Sequence, residues 1–388
     1  IPCVFAGGEP NMVAKDGSVC GTSPAWCLPF YNIRLLYFRT LDRDWLRQIF
    51  PALAAYLHYW LENRTDEAGW AVYKCTWEAG EDSTPRLDPA GEGDEVVSRF
   101  VRPVELQASM CYSARVLAEL ASELGDREAS VRWNRVAADF ATRTAQLWDR
   151  TSGRFRDWDK RTGAFLTGPN EPTYWKTDPI RFSPLSLIPL VAGLATSEQS
   201  DRLLSEIGYY DAAPWCYWPS WSYVIAEAAT ASNWHDVAGR FAVRIVDRVY
   251  RANDRRNLAE SPRPTPGMSP EFWPLDLNEF DGSDGYGWGA TTTSLWLRQV
   301  FGFLDAYTSA EYAFSLAPNL PESLLRRGRR FGFTNLPYRK RRLDISFEMT
   351  GTGLDACVRA DAGIVTSARD ERGRQIELKI DSATGITR

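Results

Sequence analysis

The sequence predicts a mainly α-helical protein, built of stacked αα-hairpins and ending in a small β-rich segment. Three observations predict it. Apolar residues recur at helical spacing in successive segments from Ser23 to about residue 306, and polar or Gly/Pro-rich loops separate those segments in pairs. Near residue 310 the apolar spacing changes to strict alternation, which marks half-buried strands.

Residues 1–22 are Gly-rich and without periodicity, and read as loop. The spacing then predicts helices over 41–62 (Leu46, Ile49, Phe50, Leu53, Tyr56, Leu57, Trp60), 104–124 (Leu106, Met110, Val116, Leu117, Leu120) and 127–149 (Val131, Val136, Phe140, Leu147). Further helices are expected at about 182–206, 217–231, 233–252 and 288–306. Beyond them Leu343, Ile345, Phe347 and Met349 alternate with polar residues, as do Ile376, Leu378 and Ile380. The expected organisation is a helical domain over 1–310 and a β-rich segment over 311–388. The basic clusters Arg326 to Arg330 and Arg339 to Arg342 read as solvated strand edges, charged to prevent pairing between sheets.

Composition narrows the function classes. A net charge of -5 and a pI near 5.4 oppose a surface built to neutralise nucleic-acid phosphates, which requires Lys and Arg in excess. No run approaches the roughly 20 apolar residues that cross a bilayer, so no membrane partner is expected. The chain shows no signal-like leader, and its compartment stays open. Sixteen Trp supply broad apolar faces that stack on sugar rings, although packing in the core accounts for many of them. A small-molecule carbohydrate is the expected partner.

Seven Cys (Cys3, Cys20, Cys27, Cys75, Cys111, Cys216, Cys357) are scattered without a C-x-x-C pair. Neither a zinc knuckle nor a disulfide framework is indicated, and buried thiols are expected. Two His, His58 and His235, are too few for a multi-His metal site, and both are expected to be structural. No metal and no cofactor are expected, so carboxylates must carry any acid/base chemistry.

Two long loops are rich in carboxylates and aromatics, and loops of such length tend to be functional. The first contains CTWEAGEDSTPRLDP, residues 75–89, where Glu78, Glu81, Asp82 and Asp88 surround Trp77 and Arg86. Acids so crowded repel one another and push at least one pKa upward, as a general acid at neutral pH requires. The second, within 253–287, carries Glu260, Glu271, Asp276, Glu279, Asp281 and Asp284 among Trp273 and Tyr286, and is followed at once by Trp288. Glycoside hydrolysis needs such a pair of sources: one carboxylic acid to protonate the leaving oxygen and one carboxylate acting from the opposite face.

The string EAGEDSTPR resembles the E-S-G-x-D-x-S/A-x-R motif of trehalases and of glycoside hydrolase family 63, whose Asp is the catalytic acid; here it is Asp82. The run VYRANDRRNLAESPRPTPG, 249–267, resembles the trehalase segment that carries the base, and Glu260 falls in that place, with Glu271 as the alternative base. Glu279 stands nine residues before Trp288 in a pattern similar to that of a sugar-contacting Glu in trehalases. PWCYWPSWSY, 214–223, resembles the family's Trp-rich segment through Trp215 and Trp221, and VELQASM near Glu105 resembles a helix start seen across these enzymes.

The resemblance covers roughly residues 20–306 and implies an (α/α)6 barrel, a six-hairpin toroid with its active site at one mouth. About nine helices precede the β segment where twelve close such a ring, so a barrel incomplete at its N-terminus is the alternative. Cys216 stands where trehalases place a glucose-contacting Asp, which argues against trehalose as substrate.

The resemblance implies inverting hydrolysis of a small α-linked glucoside or related glycoside, with Asp82 as general acid and Glu260 as general base. Room for the attacking water sets their carboxyl groups roughly 6.5–9.5 Å apart. Trp77, Glu78, Trp215, Trp221, Glu271, Glu279 and Trp288 are the expected substrate-binding residues. Arg86 either donates to a sugar hydroxyl or holds the acid's neighbour. The alternative is a carbohydrate-binding relative, or an incomplete fragment, that does not hydrolyse.

Overall fold

The computed structural model describes residues 13–20, 28–79, 86–88, 93, 97–166, 184–209, 219–254, 263–273, 282–283, 285–309, 313–321, 325, 328–349, 354–359, 365–369, 375–376, 380–381 and 386–387. The chain folds into two compact units: Ile1–Arg34 with Arg43–Tyr210, and Leu35–Asp42 with Asp211–Arg388. Helix α1 (Leu28–Thr40) gives its first half to one unit and its second half to the other.

In the first unit, α2 (Arg43–Asn63) turns Leu46, Leu57 and Trp60 into the core. A two-residue strand β1 (Val101–Arg102) leads into α3 (Val104–Leu124), in which every residue from Val104 to Ala114 is buried. A helix covered on all sides is a core element. It ends at Gly125, whose φ of 84° lets its N–H reach the carbonyls of Ala121 and Ser122. Asp126 then starts α4 (Arg127–Gln146) by accepting from the Ala129 N–H at 2.9 Å, an N-cap. α4 buries Ala129, Trp133, Ala137, Phe140 and Thr144, one stripe at helical spacing, and packs on α3. His58 of α2 is exposed, its ring 4.8 Å from that of the buried Trp133.

After α4, β2 (Trp148–Asp149) pairs with β3 (Arg154–Phe155), and β4 (Trp158–Asp159) lies between β1 and β5 (Ala164–Phe165). The single helix expected over 182–206 is broken instead. A 3-10 turn (Pro184–Leu187) runs into a short α5 (Ile188–Val191), and the chain turns at Gly193, φ 64°, before α6 (Ser197–Tyr209). Pro184 and Pro189 remove backbone donors, and Gly193 takes a left-handed conformation, so apolar periodicity alone overstated the helix.

The second unit opens with a helical hairpin. α7 (Pro219–Ala231) starts on a proline, whose missing N–H costs nothing there, and packs against α8 (His235–Tyr250). α8 buries Val237, Phe241, Ala242, Ile245 and Val249, and His235 is buried at its start. Strands β6 (Asn253–Asp254) and β7 (Arg263–Pro264) pair next.

The helix expected over 288–306 is a composite: a 3-10 turn (Gly287–Ala290), α9 (Thr291–Leu295) and a π turn (Trp296–Val300). Thr291 and Thr292 donate their hydroxyls to the carbonyls of Trp288 and Gly289 at 2.6 and 2.7 Å, and Gly302, φ 69°, ends the element. The widened turn brings the neighbours Arg298 and Gln299 to one buried carboxylate, Glu227 of α7.

Strands follow: β8 (Phe303–Asp305), β9 (Ala313–Leu316), β10 (Arg330–Tyr338), β11 (Arg341–Met349), β12 (Leu354–Arg359), β13 (Val365–Arg369), β14 (Gln375–Ile376), β15 (Ile380–Asp381) and β16 (Ile386–Thr387). They form sheets ordered β10-β11-β12-β16-β15 and β14-β13-β9-β8. Leu343, Ile345 and Phe347 are fully buried and pack with Phe301, Phe303, Phe314 and Tyr338, so the period-two pattern did mark an inward face.

In the basic cluster at 339–342, Lys340, Arg341 and Arg342 are exposed as expected, and Arg339 departs from the solvated edge. Arg339 and Lys340 form the β10–β11 turn with φ of 47° and 66°, yet the Arg339 side chain is only 4% exposed. Its Nε donates to the Phe38 carbonyl, and its Nη2 to those of Ala306 and Thr308, each at 2.8 Å. A guanidinium can satisfy several carbonyls at once, and that capacity draws this arginine inward. Arg326 lies outside the described residues.

Candidate active site

The acid-rich loop begins as α2 ends. Arg64 follows Asn63 directly, and a 3-10 turn, Thr76–Ala79, presents Trp77 and Glu78. Trp77 is half-buried against a small core of Ala14, Cys20 and Cys75. Glu78 is fully buried. Its Oε1 accepts from Arg64 Nη2 at 2.7 Å, and its Oε2 from Arg64 Nε at 2.9 Å and from the Lys74 backbone N–H at 2.6 Å. The carboxylate is thus committed to the protein, while Lys74 Nζ reaches Asp16 at 2.6 Å.

Arg86 is held on two sides. Its Nη2 donates to Glu105 Oε1 and its Nη1 to Asp157 Oδ2, each at 2.6 Å, with a second Glu105 contact at 3.3 Å. The other Asp157 oxygen accepts from the Val104 N–H at 2.9 Å and so caps α3. Glu105 and Asp157 are both buried, and sequence reasoning passed over their part in the site. The only hint was Glu105 in the VELQASM helix start. Asp88, 4% exposed, accepts from the Gly93 N–H at 2.8 Å. Asp82 lies outside the described residues.

In the second unit, Glu271 and Trp288 come together. The Trp288 indole N–H donates to the Glu271 carbonyl at 3.2 Å, and the Glu271 carboxylate accepts from the Ser283 N–H at 3.0 Å. Tyr286 sits 5.0 Å from the Trp288 ring and is 38% exposed, so the pair offers an accessible aromatic surface beside a carboxylate. Trp221, by contrast, is fully buried in α7 and acts through packing. Trp215, Glu260 and Glu279 lie outside the described residues.

Burial pushes the Cys20 and Cys75 thiols upward, so neither is poised as a nucleophile at neutral pH. Cys111 is a buried free thiol too, and Cys357 a partly buried one; Cys3, Cys27 and Cys216 lie outside the described residues. Among the described residues, no group of three or more His, Cys, Asp or Glu is arranged to hold a metal ion, and no helix is long and apolar enough to cross a membrane.

No curated protein sequence matches the chain. Residues 30–215 match the family model of the mannosylglycerate hydrolase MGH1-like glycoside hydrolase domain, a span that includes the Arg64–Glu78 pair and the separate Arg86–Glu105–Asp157 cluster. Among solved structures, the family 63 mannosylglycerate hydrolase of Thermus thermophilus in complex with glucose has a TM-score of 0.55 at 18% identity, covering 76% of this chain and 80% of its own. A sialidase has a TM-score of 0.65 at 13% identity over 93% of this chain, and the family 78 rhamnosidase of Bacillus sp. GL1 a TM-score of 0.56 at 17% identity over 89%. The chain spans 33% of the length of each of these two larger proteins. At such identities the likeness is one of fold. Residues 30–215 are thus similar to a mannosylglycerate hydrolase MGH1-like glycoside hydrolase domain, and the solved structures share its fold.

Proposed function

We propose that the protein hydrolyses a small α-linked glycoside with inversion, using Asp82 as general acid and Glu260 as general base, in a helical domain over 1–310 of the (α/α)6 six-hairpin toroid type. The observation that carries this reading is the family match across residues 30–215, which encloses the EAGEDSTPR motif with Asp82 at the acid position. Asp82 protonates the glycosidic oxygen while Glu260 takes a proton from the water that attacks the anomeric carbon. Trp288, with Tyr286 beside it, offers a stacking surface for a sugar ring, and Glu279 and Trp215 complete the substrate contacts. Glu271 is the alternative base; one of its carboxylate oxygens already accepts the Ser283 N–H.

Glycosyl-glycerates are the first substrates to test, because the matching family model and the Thermus relative are both named for mannosylglycerate hydrolysis. The decisive experiment is a panel of glycosyl-glycerates and α-linked disaccharides followed by proton NMR. Release of the β-anomer first, from an α-linked substrate, supports the reading. Release of the α-anomer first refutes the single-displacement mechanism, and calorimetric binding without any released sugar favours a carbohydrate-binding relative instead.

A further inference from the structure

The segment 13–20 lies against the residues that lead into the turn presenting Trp77 and Glu78. Asp16 accepts from Lys74 Nζ at 2.6 Å, and the Val19 carbonyl lies 3.5 Å from Arg64 Nη2, which also donates to Glu78. Between these contacts Ala14 and Cys20 pack with Cys75 in one small core. Cys20 is 2% exposed and Cys75 not at all, and both thiols are free. Each thiol alters the other's acidity through a direct side-chain interaction, so the two sulfurs are neighbours. Cysteines whose side chains meet in this way satisfy the first geometric need of a disulfide.

The two sides of the pair are held differently. Cys75 bridges Val97 and follows Lys74, whose backbone N–H is bound by Glu78. Segment 13–20 folds on itself, the Ala14 and Gly17 N–H groups donating to the Ser18 and Ala14 carbonyls. Val13, Lys15, Asp16, Gly17 and Val19 are exposed, and only small side chains anchor the segment in the core. So little buried apolar surface makes local opening cheap, and opening uncovers Cys20.

We propose that Cys20 and Cys75 form a dithiol site that closes to a disulfide on reaction with an oxidised low-molecular-weight disulfide, and that the bond fastens segment 13–20 beside Trp77. With the segment lifted, Cys20 loses its proton and its sulfur attacks one sulfur of the small disulfide, whose S–S bond breaks and releases one small thiolate. Cys75 then loses its proton and attacks the Cys20 sulfur of the mixed disulfide, expelling the second small thiolate. Two protein thiols are oxidised to one S–S bond, the reagent is reduced to two thiols, and the two protons pass to them. Burial keeps both protein thiols protonated while the segment is seated, so opening gates the reaction. The bond closes a loop of about 55 residues and restricts the unfolded chain accordingly.

The test incubates the folded full chain with oxidised glutathione, blocks remaining thiols with N-ethylmaleimide before unfolding, and maps tryptic peptides by tandem mass spectrometry. Peptides 16–34 and 75–86 are expected to be joined, with fragment ions placing the bond at Cys20 rather than at Cys27 of the same peptide. Native trypsin cleavage after Lys15 is expected to slow by about 10-fold in the oxidised protein and to recover after dithiothreitol. The urea midpoint is expected to rise on the order of 1 M on oxidation, and Cys20→Ala and Cys75→Ala are each expected to abolish the cross-link and that rise. Joined peptides that appear only after unfolding in urea overturn the proposal. So does glutathione retained on Cys20 without closure, or a bond from either residue to any other cysteine. Unchanged cleavage after Lys15 in a protein shown to be cross-linked overturns the fastening. Should either variant fail to fold, peptide mapping of the wild-type protein decides alone.

Discussion

Arg64 and Glu78 meet through a two-pronged ion pair in which neither side chain is more than 6% exposed. One residue ends the α2 region and the other opens the acid-bearing loop, so the pair ties loop to scaffold. Removing one partner leaves the other charged and unpaired in a dry site. Glu78→Ala is therefore expected to cost about 3–5 kcal/mol, while an apolar pair of similar volume at both positions is expected to cost far less. Urea denaturation followed by circular dichroism measures both; equal losses in the two variants contradict the argument.

Asp82→Asn and Glu260→Gln are each expected to cut turnover by orders of magnitude while the fold is preserved, because an amide can neither donate the acid's proton nor accept one from water. Steady-state kinetics on the substrate identified by NMR, beside a melting curve for each variant, checks this. Near-normal activity in Glu260→Gln and its loss in Glu271→Gln transfers the base to Glu271.

Gly302 ends the π turn at a φ of 69°, and a Cβ there meets the Ala317 carbonyl carbon and oxygen at 2.0 Å. Both atoms are backbone and cannot step aside as a flexible side chain does. Gly302→Ala is expected to cost about 2–5 kcal/mol, the sum of left-handed strain and overpacking. Gly125→Ala provides the control: its φ of 84° is equally left-handed, but nothing lies within 4 Å, and only the strain of about 1–2 kcal/mol remains. Thermal melts that rank the two equally contradict the steric account.

Asp149 makes a pH prediction. Burial acts to raise its pKa, but hydrogen bonds from Ser152, Thr151 and Arg156 outweigh burial and bring it down to about 2, from an ordinary 3.8. The folded state thus prefers the carboxylate. Its contribution, on the order of 2 kcal/mol, is present above pH 3.8 and is lost as the pH falls through about 2. The stability gap between the wild-type protein and Asp149→Asn is expected to close over that window, as read by denaturation at stepped pH. A gap that stays constant from neutral pH down to pH 2 contradicts the assignment.

Much of the helical framework was legible because the signals that specify it are local. For α3 and α4 the apolar stripe, the Asp126 cap and the Gly125 stop lie within a few residues of the positions they control. The alternation that placed Leu343, Ile345 and Phe347 on a buried face is local as well. Where local signals conflicted, the reading failed: apolar spacing favoured unbroken helices over 182–206 and 288–306, while Pro189, Gly193 and Gly302 interrupted them.

By itself the sequence determined the elements, the two carboxylate-rich loops and the chemistry those residue types permit, since periodicity, capping and side-chain class are properties of neighbouring residues. Tertiary structure decided which groups hold one another. Arg86 finds Glu105 and Asp157 from 19 and 71 residues away, and Arg339 lies buried among carbonyls rather than in solvent. The physical reason is that a buried charge must find its counterpart wherever the fold brings one within reach, and separation along the chain does not enter that requirement.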